Sequence, residues 1–408
     1  MEKHVLILTT TNDFLCKFEA ENVKLLQQMG YTVHFASNME QPAYVRDEER
    51  IREMGVLTHP IVIARSPFML RDNFRALRQI VRLVRQYSIL AIHCHTPVGG
   101  LLGRLAGMLC RKERPVVLYT AHGFHFYRGA PLFNRLVYYP VEKFLARHTD
   151  ILIVINGEDF RAAGKFRLRK GGRLYRIPGI GLDREAFRPL PEETRRALRR
   201  GLGIPPGCFF LVSVGELNEN KNHRILLEAL SKMKRECAGS LPVRYGICGD
   251  GFFRDRLEQW IREKGLEEQV TLYGYRRDVR EILGCADASA LPSRREGLGM
   301  AGLESLAMGV PVLAADNRGT REYMRHGKNG FVCRYDDADG FARGIEALRD
   351  QTGEQEKQMR IRCRASTEPF GKLRAKEAME RVYGDMEQRI RQKLGKKPGG
   401  NQRHHGGV

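Results

Sequence analysis

The stretch EGLGMAGLESLAMGVP combines two carboxylates with closely spaced glycines. We predict a helix from about Leu298, which leaves Glu296 on the preceding loop and places Glu304 inside the helix. The separation between the two glutamates corresponds to an offset of about 80° and a rise of about 12 Å on an ideal helix. The two carboxylates can therefore line one groove at two depths. One can accept hydrogen bonds from a ribose diol while the other meets a second sugar.

The backbone between these carboxylates also suits a ligand. The amides of Leu298, Gly299 and Met300 would face a diphosphate at the positive end of the helix. A simpler explanation pairs a glutamate favoured by the helix dipole with a surface glutamate, but it leaves the glycines without a purpose. We therefore interpret the segment as part of a sugar-nucleotide site.

Two other loops at predicted strand ends carry glycines that would let backbone amides approach an anion. Gly215 ends one strand, and Lys221 lies on the loop before a helix predicted near Asn222. Lys221 would supply a formal charge to a diphosphate, although an ordinary loop with a solvated lysine has the same pattern. Gly249 and Gly251 form a similar turn, but the third glycine of the dinucleotide fingerprint is missing.

Histidines mark strand ends in the first half of the chain. His122 and His125 follow the strand-like run in YTAHGFHFYRGAP, where a ligand could be reached. A single histidine at a strand end is more often structural. His93 and His95 form a His-x-His pair that no acidic or cysteine cluster supports, so we predict no metal site. The segment DDAD at 336–339 contains an Asp-x-Asp, which in some transferases holds a divalent cation. Because it immediately precedes a helical pattern, a helix cap explains it better than a cation site does.

Strand and helix patterns alternate along the chain, which favours an α/β fold with parallel sheets. The strand-like runs are 4–10, 32–37, 61–63, 89–95, 115–123, 150–156, 208–217, 243–251, 269–275, 286–293, 310–316 and 330–335. A proline-rich, charged segment at 188–206 resembles a linker. We therefore expect two doubly wound domains, with the ligand in a cleft between them at the carboxyl ends of the strands. The predicted parts are a first domain at 1–190, a second domain at 205–370, a helix at 371–393 and a disordered tail at 394–408.

Composition limits the class of protein. The chain has 408 residues, of which 42% are hydrophobic and 29% charged, as in a globular protein. It contains no apolar run long enough to span a membrane and no pattern of a signal peptide, so we expect a cytoplasmic protein. The nine cysteines are scattered, and we predict buried reduced thiols.

The formal net charge of +21 predicts an anionic partner. Four arginines share one face of a predicted helix: Arg75, Arg78, Arg82 and Arg85. The segment 161–176 adds seven basic residues. These surfaces suit anionic lipid head groups, although a solvated face would have the same composition. We do not expect a nucleic-acid partner, because no recognised module is present and aromatic side chains are not interleaved with these basic ones.

Several segments between 210 and 335 resemble, in order and spacing, the carboxyl-terminal half of retaining glycosyltransferases of family 4. They are VGELNENKNH, CGDG, GYRRDVREIL, ADASALPSRREGLGMAGLESLAMGVPVLA and GTREYMRHGKNGFV. The segment 119–160 is similar to a branch of bacterial enzymes that build capsule, exopolysaccharide and other lipid-linked surface glycans. Together the resemblance covers most of 1–390.

This resemblance implies the GT-B fold, in which two Rossmann-like domains face each other across a cleft and the last helix crosses back to the first domain. The first domain would bind the acceptor and the second a nucleotide-sugar donor, more often UDP-linked than GDP-linked. The implied reaction transfers the sugar with retention and requires no metal or other cofactor. It would take place on a lipid-linked or surface-polysaccharide acceptor, which places the protein at the inner face of the membrane.

The resemblance also implies roles for individual residues. Glu304 would hold the ribose hydroxyls, and Glu296 would contact the donor sugar near its 3- and 4-hydroxyls. Lys221 would neutralise the leaving diphosphate, and His122 would lie against the donor sugar near the reacting carbon. Gly215, Gly249, Gly251 and the backbone near Tyr275 and Arg276 would complete the donor site.

Two departures from the family pattern concern the phosphates and the acceptor. Many members carry a basic residue where this chain has Glu216, so Lys221 would carry more of the phosphate charge, helped by Arg294 or Arg295. Many members also carry a glycine pair in the first loop, where this chain has TTTNDFLCKF. The residues assigned to the acceptor side are Asn12, Asp13, His95 and His125.

Two other functions remain open from sequence. A nucleotide-sugar 2-epimerase uses a related two-domain fold, but it would need additional acid and base carboxylates that we do not find in the predicted cleft. A basic nucleic-acid-binding protein is indicated only by the charge.

Overall fold

The computed structural model describes residues 2–40, 48–237 and 241–395. Contacts divide the chain into two compact units. Unit 1 contains the residues up to Ile155, Asp159–Ile177 and the residues from Lys376 onward, and unit 2 contains Asn156–Glu158 and Pro178–Ala375. Unit 2 thus begins before the linker at which we predict the domain boundary. The predicted tail lies largely outside the described residues.

Unit 1 is built on a parallel sheet of seven described strands in the order β3-β2-β1-β4-β5-β6-β7. The strands are β1 Lys3–Thr11, β2 Tyr31–Asn38, β3 Leu57–Pro60, β4 Ala91–His95, β5 Val116–Ala121, β6 Ile151–Val154 and β7 Arg173–Arg176. The central strands are fully buried, as expected when helices cover both faces of a parallel sheet.

The described helices of unit 1 connect these strands. They are α1 Ala20–Gln28, α2 Glu48–Glu53, α3 Leu70–Gln86, α4 Pro97–Leu109, α5 Leu132–Ala146 and most of α6 Gly157–Ala163, followed at the end of the chain by most of α14 Lys372–Gly395. A π-helical turn at Leu15–Glu19 precedes α1. The segment predicted as a crossover helix is thus helical, and it belongs to unit 1 from Lys376 onward.

Helix α4 shows how sequence sets the packing of unit 1. It begins with Pro97, which has no N–H to satisfy, and the Thr96 hydroxyl accepts a hydrogen bond from the Gly99 amide at 3.3 Å. Glycines at 100 and 103 face the sheet, where added Cβ atoms would collide with Tyr119 and Cys94 respectively. The helix backbone therefore lies close against the strands.

Unit 2 is built on a second parallel sheet, with six described strands in the order β10-β9-β8-β11-β12-β13. The strands are β8 Phe209–Val214, β9 Val243–Cys248, β10 Val270–Gly274, β11 Ala288–Leu291, β12 Val312–Ala315 and β13 Gly330–Cys333. Its helices are α7 Glu192–Gly201, α8 His223–Glu236, α9 Arg254–Glu263, α10 Val279–Gly284, α11 Met300–Ala307, α12 Ala338–Arg349 and α13 Gly353–Ser366. The predicted doubly wound α/β class is confirmed for both units.

Two edge strands differ from the sequence prediction. The run 61–63 is not a strand, because β3 ends at Pro60 and the chain continues as irregular structure. Strand β7 lies inside the basic segment 161–176 and was not predicted, because its residues are only half-buried and alternate poorly. Both strands pair on one side only, so their side chains need not follow the apolar pattern of a central strand.

All nine cysteines are free thiols, and seven of them are buried, which confirms the prediction. Within 2–40, 48–237 and 241–395, no helix is both long and apolar enough to cross a bilayer.

Candidate functional site

The loop after β8 holds Lys221 in a defined position. The Asn218 side chain accepts a hydrogen bond from the Lys221 amide at 3.1 Å and caps the 3₁₀ turn Glu219–Lys221. Asn222 then adopts a left-handed conformation, with φ of 56°, and its side chain donates to the carbonyls of Pro292 and Tyr335 at 3.1 and 2.8 Å. These bonds fix the loop to its neighbours, and helix α8 starts one residue later than predicted.

Lys221 and Glu296 form an ion pair, with Nζ and Oε1 2.8 Å apart. Their side chains are 21% and 15% exposed, so the pair is partly shielded from water. The lysine also lies against Gly215, where a Cβ would come 2.9 Å from Cε of Lys221. Three residues chosen from sequence therefore meet at one place. The two charges were expected to contact different parts of a ligand, and in the structure they also neutralise each other.

Glu304 lies on α11 with its carboxylate half-buried. No residue in the described part of the chain is recorded as forming a hydrogen bond or an ion pair with this carboxylate, and burial raises its pKa to about 7. A partly buried acid without partners is unfavourable unless something else supplies hydrogen bonds. The arrangement suits a ligand that offers hydroxyl donors, such as a diol.

The start of α11 corrects the prediction. The helix begins at Met300 rather than near Leu298, because Gly299 has a left-handed φ of 83° that interrupts helical geometry. The Tyr323 hydroxyl donates to the Gly299 carbonyl at 3.0 Å, and a Cβ at Gly302 would collide with that same hydroxyl. Gly302 is therefore explained by packing. The amide of Leu298 belongs to a turn, and that of Met300 lies at the true helix end.

Gly249 and Gly251 also have a packing role that the sequence did not reveal. A Cβ at Gly249 would collide with the carbonyl of Gly215, and one at Gly251 with the carbonyl of Leu217. The loops after β8 and β9 thus touch through bare backbone. The absence of side chains here needs no bound anion to explain it.

The predicted base-side residues lie after β10. Tyr275 is 51% exposed, and the Arg276 guanidinium pairs with Asp278 through Nε at 2.8 Å. The side chain of Arg276 is thus engaged locally. It stays a prediction that the backbone near Tyr275 and Arg276 borders the nucleotide base.

Sequence reasoning missed Arg318, which follows β12 in the segment DNRGTRE. Its side chain is only 6% exposed, and its Nε donates to the Glu296 carbonyl at 3.3 Å. Asn317 supports the same region by donating to the Ser293 carbonyl at 2.9 Å. A buried arginine beside a predicted site is a signal that only the folded chain provides. Arg294, proposed as a phosphate helper, pairs instead with Glu219 at 2.9 Å on the surface.

In unit 1, His122 lies beside other polar groups at the end of β5. Its Nε2 is 3.2 Å from Nδ1 of His95, which is itself 3.3 Å from Oε1 of Glu19. Burial lowers the pKa of His122 to about 4 and lowers that of His95 well below its usual value. Burial likewise raises the pKa of Glu19 to about 8. The group is therefore neutral near pH 7. His95 is fully buried, so its assignment to the acceptor side stays a prediction that would require a neighbour such as His122 to meet the ligand.

Glu19, His93 and His95 form a group whose possible ligand atoms lie within 4.8 Å of one another. Glu19 supplies the acidic neighbour that sequence reasoning did not find for the His-x-His pair. The ring nitrogens of His93 are both engaged, however, with the Tyr383 hydroxyl at 3.0 Å and the Thr120 hydroxyl at 2.8 Å. We interpret the group as a buried hydrogen-bond network that ties α14 to the sheet.

The other residues assigned to the acceptor side surround the end of β1 and the loop after β5. Asn12 is buried, and its Oδ1 has no hydrogen-bond partner in the described chain. Burial opposes ionisation of Asp13, but the hydrogen bond from Lys17, at 2.8 Å, lowers its pKa below the usual value. His125 stacks on Tyr138, with ring centroids 4.6 Å apart. Asn12 is the member of this set whose unsatisfied oxygen most directly suits a ligand.

The basic surfaces are partly as predicted. The four arginines of α3 are exposed on one face of the helix, whereas its buried face consists of Asn73, Ala76, Ile80 and Val84. In the segment 161–176, Arg169 pairs with Asp150 at 2.8 Å and Arg173 with Asp385 at 3.6 Å. Six of the seven basic residues of 161–176 are nevertheless exposed, and Arg169 is half-buried, so exposed positive charge is present on both predicted surfaces.

Comparison with known proteins identifies the family. Residues 194–366 match the model for glycosyl transferases group 1, and residues 4–156 match the glycosyl transferase 4-like model. EpsD of Bacillus subtilis (strain 168), a candidate glycosyltransferase, is 40% identical over 85% of this chain and 88% of its own length. A UDP-Gal:alpha-D-GlcNAc-diphosphoundecaprenol alpha-1,3-galactosyltransferase of Escherichia coli is 28% identical over 71% of this chain and 73% of its own length.

Solved structures show the same fold. HepE of Anabaena, in complex with UDP and glucose, superimposes with a TM-score of 0.74 at 19% identity over 94% of this chain and all of that one. Sucrose-phosphate synthase of Thermosynechococcus elongatus gives a TM-score of 0.72 at 17% identity, over 97% of this chain and all of that one. With two Rossmann-like parallel-sheet domains and these relatives, the chain belongs to the group 1, family 4-like glycosyltransferases of the GT-B fold.

Proposed function

We propose that this enzyme is a retaining transferase that moves a hexose or N-acetylhexosamine from a UDP-linked donor to a lipid-linked or surface-polysaccharide acceptor. The reaction would take place at the cytoplasmic face of the membrane. The named substrates of the Escherichia coli relative, a UDP-sugar and a diphosphoundecaprenol-linked sugar, support this choice. The structure of HepE with UDP and glucose supports a UDP-linked donor.

The observation that carries the proposal is the pairing of Lys221 with Glu296 in the same unit as the carboxylate of Glu304, which has no partner among the described residues. Glu304 would accept hydrogen bonds from the ribose diol, and Glu296 from hydroxyls of the donor sugar. Lys221 would contact the diphosphate and stay close enough to Glu296 to orient it. A diphosphate attracts a lysine strongly, so we expect the ion pair to loosen when the donor binds.

For the chemical step we favour attack from the face that the leaving group occupies. An acceptor hydroxyl would bond to the anomeric carbon as the bond from that carbon to the diphosphate breaks, and its proton would pass to a diphosphate oxygen. Lys221 and the amides before α11 would stabilise the charge that develops on the leaving group, a role for which positioned charges and dipoles are effective. His122 would lie near the reacting carbon as a neutral imidazole, in keeping with its pKa of about 4. We propose no resident metal, and an unchanged rate with a chelator would support that.

The test is turnover with a panel of UDP- and GDP-sugars, each with and without a polyprenyl-diphosphate-sugar acceptor. We expect nucleotide release that depends on the acceptor, and a product whose anomeric configuration by NMR matches that of the donor. An inverted product would overturn the retaining assignment. Isomerisation of the sugar without acceptor would indicate an epimerase. Absence of turnover, together with salt-sensitive binding of nucleic acid, would indicate a nucleic-acid-binding protein.

A further inference from the structure

Helix α5 exposes large apolar side chains that no described element covers. Leu132, Phe133, Leu136 and Phe144 are 76%, 59%, 75% and 50% exposed, and we call these four residues the α5 apolar face. At about 100° per residue they fall within an arc of about 120°, so they form one continuous stripe. A contiguous exposed apolar surface on a folded protein marks an interaction site.

The opposite side of α5 is firmly anchored, so this exposure does not come from a loosely packed helix. Leu145 and Ala146 are each 1% exposed. Glu142 accepts two hydrogen bonds from the buried guanidinium of Arg104, at 2.6 and 3.1 Å, and Arg104 stacks on the ring of Tyr119. These contacts join α5 to α4 and to the sheet, and they set which face of α5 points outward.

The charged side chains beside the α5 apolar face are basic. Arg135, Lys143 and Arg147 are exposed, and none of them is recorded in an ion pair within the described ranges. The carboxylate of α5, that of Glu142, is turned inward to Arg104. Apolar side chains flanked by unpaired basic ones match a membrane surface, where rings and branched chains enter the acyl region and long basic chains reach the head groups. A soluble protein partner of acidic character would not need so many exposed apolar groups.

A second helix of unit 1 has the same combination. Helix α4 packs against both α3 and α5, so the three helices form one layer on the same side of the sheet. At the start of α3, Phe68, Leu70 and Phe74 are 66%, 74% and 61% exposed, beside the arginine face of that helix. One planar surface can therefore meet basic and apolar side chains from both helices.

We propose that the α5 apolar face inserts into an anionic lipid bilayer, while the arginines of α3 contact its head groups. This inference rests on the proposed function, because a lipid-linked acceptor would be met at a membrane. It adds to that function a specific surface that inserts into the bilayer. Sequence analysis assigned the contact with the membrane to basic residues alone.

The test uses the full-length protein and vesicles of phosphatidylglycerol mixed with phosphatidylcholine, compared with phosphatidylcholine alone. The variant Leu132→Ser/Phe133→Ser/Leu136→Ser, called the stripe variant, removes three of the four residues of the α5 apolar face. Ile361→Ser/Leu373→Ser removes exposed apolar groups of unit 2 as a control. We expect the stripe variant to bind anionic vesicles at least about tenfold more weakly than the wild type, and the control to bind normally. Equal binding of the stripe variant and the wild type would overturn the proposal.

Insertion is measured separately, with a fluorescent probe at the site. The chain has one tryptophan, so Leu136→Trp in a Trp260→Phe background reports on α5 alone. We expect a blue shift on binding and quenching by lipids brominated on the acyl chain. An unquenched signal would overturn the insertion. Dimerisation that the stripe variant abolishes, without any effect of vesicles, would show that a second copy of the chain covers this face instead.

Failure of this inference can be distinguished from failure of the proposed function. Turnover with a short-chain, water-soluble acceptor does not require a membrane. The stripe variant should keep that turnover while it loses vesicle binding. A wild-type enzyme that transfers no sugar to any acceptor would refute the proposed function and leave the vesicle result to stand by itself.

Discussion

Replacement of Glu304 by glutamine tests the donor site through pH. Burial raises the pKa of Glu304 from 4.5 to about 7, and each pKa unit corresponds to 1.36 kcal/mol. Below pH 4.5 the carboxyl is protonated in both the folded and unfolded states and has no effect. Between pH 4.5 and 7 the unfolded chain loses this proton while the folded chain keeps it, so the folded state is destabilised. Above pH 7 the penalty is constant, at about 3 kcal/mol.

The glutamine variant lacks this penalty because it does not ionise. We therefore expect its unfolding free energy, relative to the wild type, to rise by about 2.5 kcal/mol between pH 5 and pH 8. The unfolding of unit 2 can be followed in urea by the fluorescence of Trp260, which lies in that unit. Glu267→Gln, at an exposed position of the same unit, is the control and should leave the pH dependence unchanged.

The same group predicts the pH dependence of donor binding. With a pKa of about 7, roughly a tenth of Glu304 is ionised at pH 6 and roughly nine tenths at pH 8. A carboxylate accepts hydrogen bonds from both ribose hydroxyls, so a UDP-sugar should bind roughly tenfold more tightly at pH 8 than at pH 6. The diphosphate of a UDP-sugar has the same charge at both values, and His122, with a pKa of about 4, does not titrate there.

Isothermal titration calorimetry at pH 6, 7 and 8 measures this effect. The reasoning predicts a pH-dependent affinity for the wild type and for Glu267→Gln, and a weaker, pH-independent affinity for Glu304→Gln. If the wild type bound the donor equally at all three values, or if Glu304→Gln kept the same pH profile as the wild type, Glu304 would not hold the ribose as an ionised acid.

Three further variants probe other parts of unit 2. Lys221→Ala should lower kcat far more than it raises the KM for the acceptor, because it removes positive charge from the leaving group; an unchanged kcat would exclude this role. Gly302→Ala should destabilise the protein by about 1–3 kcal/mol in urea unfolding, because the added Cβ collides with the Tyr323 hydroxyl, and adding Tyr323→Phe should restore part of the loss. Asp337→Ala should cost about 1 kcal/mol, because Asp337 accepts a hydrogen bond from the Gly340 amide at 2.8 Å and caps α12; an Asp337→Asn variant that retains stability would confirm the cap.

Sequence analysis was most successful where the signal is local. The strand, loop and helix order around Lys221, Glu296 and Glu304 follows from apolar periodicity and turn residues within a few positions of each site. The Asp337 cap depends on the amide three residues ahead, and it is confirmed. Such features depend on near neighbours in the chain, so the sequence contains the information needed to predict them.

Local sequence patterns predicted the roles of glycines and the positions of edge strands less well. Gly249 was predicted to let a backbone amide approach an anion, and Gly302 belongs to the glycine-rich stretch that was interpreted as part of a sugar-nucleotide site. The structure places a carbonyl against Gly249 and a hydroxyl against Gly302, both from distant segments. Strand β7 lies in a basic segment and was not predicted, because a half-buried edge strand need not alternate apolar and polar side chains. For the two glycines the reason lies in a neighbour that is remote in sequence.

The chemistry of the site depends on contacts that only the tertiary structure decides. Lys221 and Glu296 are 75 positions apart, and they meet because β8 and β11 are adjacent in the sheet, which brings together the loops that follow them. Glu19 joins His95 because the π-helical turn at Leu15–Glu19 brings it beside the end of β4, and the outward direction of α5 is set by the bond between Glu142 and Arg104. The sequence by itself determined the family and the two α/β units, and it supplied the residue types of the predicted donor site. Strand order and side-chain packing decided which charges pair, which acid has no partner among the described residues and which apolar surface is left exposed. Those outcomes depend on distances between segments that no local pattern encodes.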